Sequence, residues 1–281
     1  MKNNQTSSKK KLSNSREIPN KLPTFNLDEP DTSRSFVFYG RSSTGKTSLA
    51  MTFPGKILLL DVRDKGTDSV SHISPKRGVG MRIDEWEDLE LVYYYLKKNP
   101  DEYRTVVIDT MSQLQQLCVK KVLEDKNKNS KEAGGWGSMK RQEWGEVASI
   151  MKEWIINFRD LVELDIEVVF IAQDRVFNVD EESEDTDSML APEVGPGLSP
   201  SIAKCLNAAV NVIGNTFIRE KIKTKEVNGK KKEIRETQYC LRIGPNPTYI
   251  TKMRKPKEIQ VPAVLVDPDY DLIISTLKGE D

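Results

Sequence analysis

At 281 residues the chain has room for one large α/β domain with additions or two small ones, and for a substantial core. Hydrophobic residues make up 37% and charged residues 31%, with 43 basic side chains balancing 43 acidic ones, so total charge singles out no class of partner and only its distribution could. No stretch approaches the about 18 apolar residues of a membrane span and no apolar leader follows Met1, which argues against membrane insertion or secretion and for a cytoplasmic protein.

Residues 1–22 are rich in Lys, Ser and Asn and have no apolar period, so they read as a disordered basic arm. Order is expected from about residues 22–25. A strand over 35–39 then runs into Gly40-Arg41-Ser42-Ser43-Thr44-Gly45-Lys46-Thr47-Ser48, which matches G-x-x-x-x-G-K-T between a strand and a helix-compatible run. The residue types explain the chemistry. Gly40 and Gly45 admit backbone conformations closed to residues with a Cβ, so successive N–H groups can turn toward phosphate oxygens. The helix that follows offers its free N–H groups and the positive end of its dipole. Lys46 adds a full charge near the β- and γ-phosphates, and the Thr47 hydroxyl is placed to ligate Mg²⁺. The loop therefore predicts a site for ATP with Mg²⁺.

The run 56–61 is apolar throughout, as in a strand buried on both faces of a parallel sheet, and it ends in two acids, Asp61 and Asp64. Asp84 is the expected cap of a helix carrying Trp86, Leu89, Val92, Tyr93 and Leu96 on one face. A third strand, 105–109, ends in Asp109, the Walker B pattern, whose carboxylate would hold Mg²⁺ opposite Thr47. The next residue is Thr110 and not Glu, so the base for hydrolysis must come from elsewhere; Asp61 and Asp64 are the candidates.

A helix over 112–124 leads to a polar stretch, 125–141, with Trp136, Lys140 and Arg141. Cations for a backbone and a ring for a base suit single-stranded nucleic acid, and a solvated loop with its Trp folded back suits the stretch equally. Residues 144–163 keep a 3.6 period and predict a long helix. The fourth strand, 166–172, ends in Gln173, an amide at the edge where ligands sit. A segment with an acidic centre at 180–185, read as a solvated hairpin tip, precedes Pro196-Gly197-Leu198-Ser199-Pro200 and a helix near 200–206 that carries Lys204. A strand near 210–213 follows, then a basic hairpin, 216–226 and 236–243, turning at Asn228-Gly229. Its lysines fit an edge that resists aggregation as well as a surface for nucleic acid. Lys252 and Arg254 come next, and 267–281 read as a terminal helix or tail. The three cysteines, Cys118, Cys205 and Cys240, are far apart and read as reduced thiols, and the single His72 cannot build a zinc site.

Taken in order, GRSSTGKT at 40–47, LLLDVRD at 58–64, VVIDT at 106–110, VVFIAQD at 168–174, the Pro/Gly segment at 196–200 and TKMR at 251–254 resemble the RecA/RadA-like recombination ATPases, specifically the compact phage nucleotide-binding proteins of single-strand annealing. The resemblance covers about 34–260. It implies an α/β RecA-like P-loop core with a mostly parallel sheet, helices on both faces and a C-terminal β-hairpin. An ATPase domain would span 23–266, between the basic arm and the tail at 267–281. It also implies that Gln173 couples the γ-phosphate to a DNA-contacting segment, and that Lys252 and Arg254 reach a neighbouring subunit's phosphates. The working state would then be a filament or ring with ATP between subunits, bound to single-stranded DNA, with a single-strand-binding protein as a further partner. Trp136, Lys140, Arg141 and Lys204 would face the DNA. A P-loop ATPase acting on a protein, such as a helicase loader, is the rival expectation, and a small-molecule kinase the third.

Overall fold

The apolar runs become strands of one sheet, and their side chains divide by alternation between its two faces. The computed structural model describes residues 33–63, 78–127, 139–177, 192–227 and 230–280. The chain divides into two units, 1–31 and 32–281, and the described residues belong to the second. The basic arm, His72 and the acidic centre at 180–185 lie outside them.

Six strands of the sheet run parallel: β1 (Ser35–Tyr39), β2 (Ile57–Asp61), β3 (Gly78–Arg82), β4 (Thr105–Asp109), β5 (Glu167–Ala172) and the first residues of β8 (Val212–Val227). Their order is β8-β1-β5-β4-β2-β3. Antiparallel additions follow at the β8 side: β9 (Lys230–Arg242), β11 (Val264–Val266) beyond it, and β10 (Lys252–Met253) on β8. Among the described residues the sheet has nine strands. A separate antiparallel pair is formed by β6 (Asp174–Phe177) and β7 (Glu193–Pro196).

Both sheet faces are covered. Val37, Leu58, Leu60, Val106, Ile108, Val168 and Phe170 point into one core with α2 (Trp86–Lys98), α3 (Met111–Asn127), α4 (Arg141–Arg159) and α5 (Pro200–Ala209). Their neighbours Phe36, Phe38, Ile57, Leu59, Val107, Val169 and Ile171 point into the other, with α1 (Lys46–Ala50) and α6 (Tyr270–Lys278). This two-sided burial is why the interior positions of these strands are apolar in succession, with polar residues only at their ends. The expected architecture is therefore the one observed: an α/β fold with a mostly parallel sheet, helices on both faces and a C-terminal β-hairpin.

Several expectations need correction. Asp84 does not cap α2; the Asp88 carboxylate accepts the backbone N–H groups of Asp84 and Glu85 instead, at 3.1 and 3.0 Å. The separate strand near 210–213 and the first arm of the hairpin are one strand, β8, which Gly214 and Asn215 do not interrupt. Its partner β9 starts at Lys230, earlier than expected, and Val227 pairs with Lys230 across the turn. The turn residues Asn228 and Gly229 lie outside the described residues. Cys118 and Cys240 are buried, all three thiols are free, and burial pushes Cys118 up to about 12.

Candidate nucleotide site

The site is built at the C-terminal edge of the parallel strands, where such sheets hold ligands. Here β5 lies between β1 and β4, so the residues leaving these strands are neighbours: Tyr39 pairs with Ala172, and Ile171 with Asp109. Gly40, Gln173 and Asp109 are thereby assembled at one edge from three distant parts of the chain.

The loop after β1 turns with Gly40, Ser43 and Gly45 at φ 153°, 63° and 85°. Gly40 is needed for space as well as conformation, since a Cβ there would stand 2.3 Å from the carbonyl oxygen of Thr216 on β8. The buried hydroxyl of Thr44 shares a 2.6 Å hydrogen bond with that of Thr216 and donates to the Arg41 carbonyl at 2.8 Å. Lys46 is buried, and its Nζ donates to the carbonyls of Gly40 and Arg41 at 2.9 and 2.7 Å, which keeps the charge inside the loop's own curve. A cavity of about 710 Å³ opens there, lined by residues 42–48, Asp109, Thr110 and Gln173.

The Thr47 hydroxyl donates to Asp109 Oδ2 at 2.7 Å. Two hard oxygens from the loop and the Walker B strand are thus side by side at the cavity. This donor set fits Mg²⁺, which keeps several waters and takes one or two protein oxygens together with substrate phosphates. Among the described residues no cluster of three or more His, Cys, Asp or Glu could hold a metal by itself. Thr47 and Asp109 would hold it, and bound there it would neutralise charge on the β- and γ-phosphates. The Asp109–Thr110 peptide is cis.

Gln173 is exposed and lines the cavity, and its backbone is tied to the Pro/Gly segment. Its carbonyl accepts the Gly197 N–H at 2.6 Å. Ser112 Oγ accepts the Gln173 N–H at 3.3 Å and donates to the Gly197 carbonyl at 3.0 Å. Gln115 Oε1 accepts the Ser199 N–H and hydroxyl at 2.8 and 3.1 Å, at the start of α5. The end of β5, the start of α3 and the start of α5 are therefore one hydrogen-bonded unit.

The remaining predicted residues are placed as follows. Asp61 is buried beside Asp109 in register, but it does not line the cavity. Asp64 and Trp136 lie outside the described residues. Lys140 and Arg141 are exposed at the start of α4, and Lys204 is exposed on α5. Lys252 Nζ donates to the carbonyls of Asn207 and Ala208 at 2.8 and 2.9 Å, and Arg254 Nη2 donates to that of Ala208 at 2.9 Å, so both cap the C-terminus of α5. Burial, and then the charge of Arg254, hold Lys252 below its ordinary value. They are not brought to the loop of their own chain. Sequence reasoning missed Thr216, Tyr239, Asp267 and Pro268, which also line the cavity. No local pattern marks them, because they reach the loop through strand pairing across the sheet.

No protein of curated function matches the chain. Solved structures that resemble it include a KaiC-like protein from the hyperthermophilic archaeon Pyrococcus horikoshii, 11% identical, covering 85% of this chain and 91% of that one at a TM-score of 0.41. The family model described as AAA domain matches residues 32–255, a span that holds the P-loop, Asp109, Gln173 and the Lys252/Arg254 pair. The chain belongs to the AAA domain family, as a P-loop ATPase domain.

Proposed function

We propose that the protein hydrolyses ATP with Mg²⁺ and couples that cycle to single-stranded DNA in phage-type annealing or strand pairing, as a head-to-tail oligomer with ATP between subunits. The observation that carries the ATPase reading is the 2.7 Å contact of Thr47 with Asp109 at the cavity that also holds Lys46. Lys46 would bind the phosphate chain, Gln173 would sense its terminal group, and a carboxylate after β2 would orient the attacking water. The DNA reading draws on the Gln173–Ser112–Gly197 unit, which joins the cavity to α5 and its exposed Lys204.

The test is ATP turnover by the purified chain with and without single-stranded DNA, with Lys46→Ala as the blank. Stimulation by DNA, lost in Lys46→Ala, is the expected result. Turnover indifferent to DNA would transfer the proposal to a protein partner. That second reading is favoured by the outer face of α2, where Leu91, Tyr94 and Tyr95 are exposed together, an apolar patch suited to protein contact.

A further inference from the structure

The cavity is lined by two chemically different sets of residues. One is the P-loop with Lys46 and Asp109, suited to phosphate and its cation. The other is Leu49, Thr52, Tyr239, Asp267 and Pro268, none of which carries a positive charge. Tyr239 stands on β9 about 200 residues from the loop in sequence, yet a Cβ on Gly45 would lie 3.0 Å from its ring. With its ring against the loop, Tyr239 as a residue is still 45% exposed, and it lines the cavity beside the P-loop.

The backbone that carries the ring is held in place. Asp267 takes a positive φ of 47°, donates its N–H to the Tyr239 carbonyl at 2.6 Å, and accepts the Tyr239 N–H on Oδ1 at 3.1 Å. The chain beyond is fastened in turn: Tyr270 donates its N–H to Thr52 Oγ1 at 2.9 Å and its hydroxyl to the buried Glu167 at 2.8 Å. An aromatic face on a fastened backbone, next to Leu49 and Pro268, is the chemistry that receives a planar heterocycle, since stacking requires only a π-face.

We infer that this second set binds the nucleoside: the base of the nucleotide stacks on Tyr239, alongside Asp267 and Pro268. Asp267 is a positioning residue that acts through the Tyr239 backbone. The inference rests on the reading of the P-loop as a nucleotide site, and it adds that the C-terminal hairpin and the segment before α6 supply the part of the affinity that phosphates alone cannot.

Calorimetric titration of the full chain with Mg²⁺–ATP and with Mg²⁺–tripolyphosphate, which lacks the nucleoside, tests it. Tyr239→Ala should weaken ATP binding roughly tenfold and leave tripolyphosphate binding unchanged. Tyr239→Phe, which keeps the ring, should match the wild type with both. Lys46→Ala reports the phosphate-binding set separately and should lose both ligands. If Tyr239→Ala binds ATP as the wild type does, or loses both ligands equally, the ring does not stack on a base and the inference is overturned. A wild type that binds neither ligand would overturn the nucleotide reading beneath it.

Discussion

Gly40 meets two demands at once: its φ of 153° and the 2.3 Å that would separate a Cβ from the Thr216 carbonyl. The opposing atom is backbone, part of the β8 ladder, and cannot swing aside like the tip of a side chain. Gly40→Ala should therefore force the loop and β8 apart, costing about 1–3 kcal/mol of stability and most of the nucleotide affinity. Thermal unfolding together with ATP titration checks this, and a variant that melts and binds like the wild type would mean the close approach is dispensable. Such a position shows how much of the site is legible locally. The G-x-x-x-x-G-K-T pattern carries its own chemistry, and Asp109 follows once a strand is placed before it. That Thr216 is the atom Gly40 makes room for, or that Tyr239 lies on Gly45, is a matter of strand pairing between segments about 175 and 194 residues apart, which no window of sequence displays.

Among the elements, those with strong periodicity were legible and those without were not. β1, β2, β4 and β5 are apolar at successive positions because each buries both faces, and α2 buries the five residues its period predicts. β3, Gly-Val-Gly-Met-Arg, is an edge strand with two glycines and no fully buried residue, so nothing in its composition separates it from a loop. α6 read as a helix or tail, and it is locked into the core by Ile273 and Leu277, each worth about 1.5–3 kcal/mol in burial, and by the bond from Tyr270 to Glu167. Glu167 is fully buried at the start of β5, and burial pushes its carboxyl above the ordinary 4.5, opposed by the Arg34 N–H and the Tyr270 hydroxyl that donate to it. The folded state thus holds this proton more tightly than the unfolded chain. Its contribution to stability is full below the unfolded value and is lost as pH rises through the folded one. Glu167→Gln cannot ionise and lacks that loss. The stability of the wild type relative to Glu167→Gln should therefore decline as pH is raised above about 4.5, read from urea midpoints. A difference that stays constant over that range would assign Glu167 no such role.

At the scale of the whole molecule the question is what Lys252 and Arg254 can reach. β10 pairs with β8 through Lys252–Ile213 and Met253–Val212, and Val212 in turn faces Phe36, near the start of β1. The P-loop leaves the other end of β1, three residues beyond Val37, or about 10 Å at the rise of a strand. Both cations also point to the C-terminus of α5, where they offset its partial negative charge. Within one chain they serve α5. A role at phosphates would require a neighbouring subunit to present its P-loop to this edge, the head-to-tail arrangement that builds rings and filaments. The two roles separate by mixing. Arg254→Ala keeps its own P-loop and lacks the cation, whereas Lys46→Ala lacks the P-loop and keeps the cation. If Arg254 only caps the helix, Arg254→Ala should melt earlier, by about 0.3–1 kcal/mol, and turn over ATP normally while folded. If it acts across an interface, Arg254→Ala should be inactive alone and regain turnover when inactive Lys46→Ala is added, because a mixed interface then joins an intact loop to an intact cation. We expect recovery that rises with the proportion of Lys46→Ala, then falls as intact loops become scarce. Absence of recovery from variants that still co-sediment would leave helix capping as the whole function of the pair.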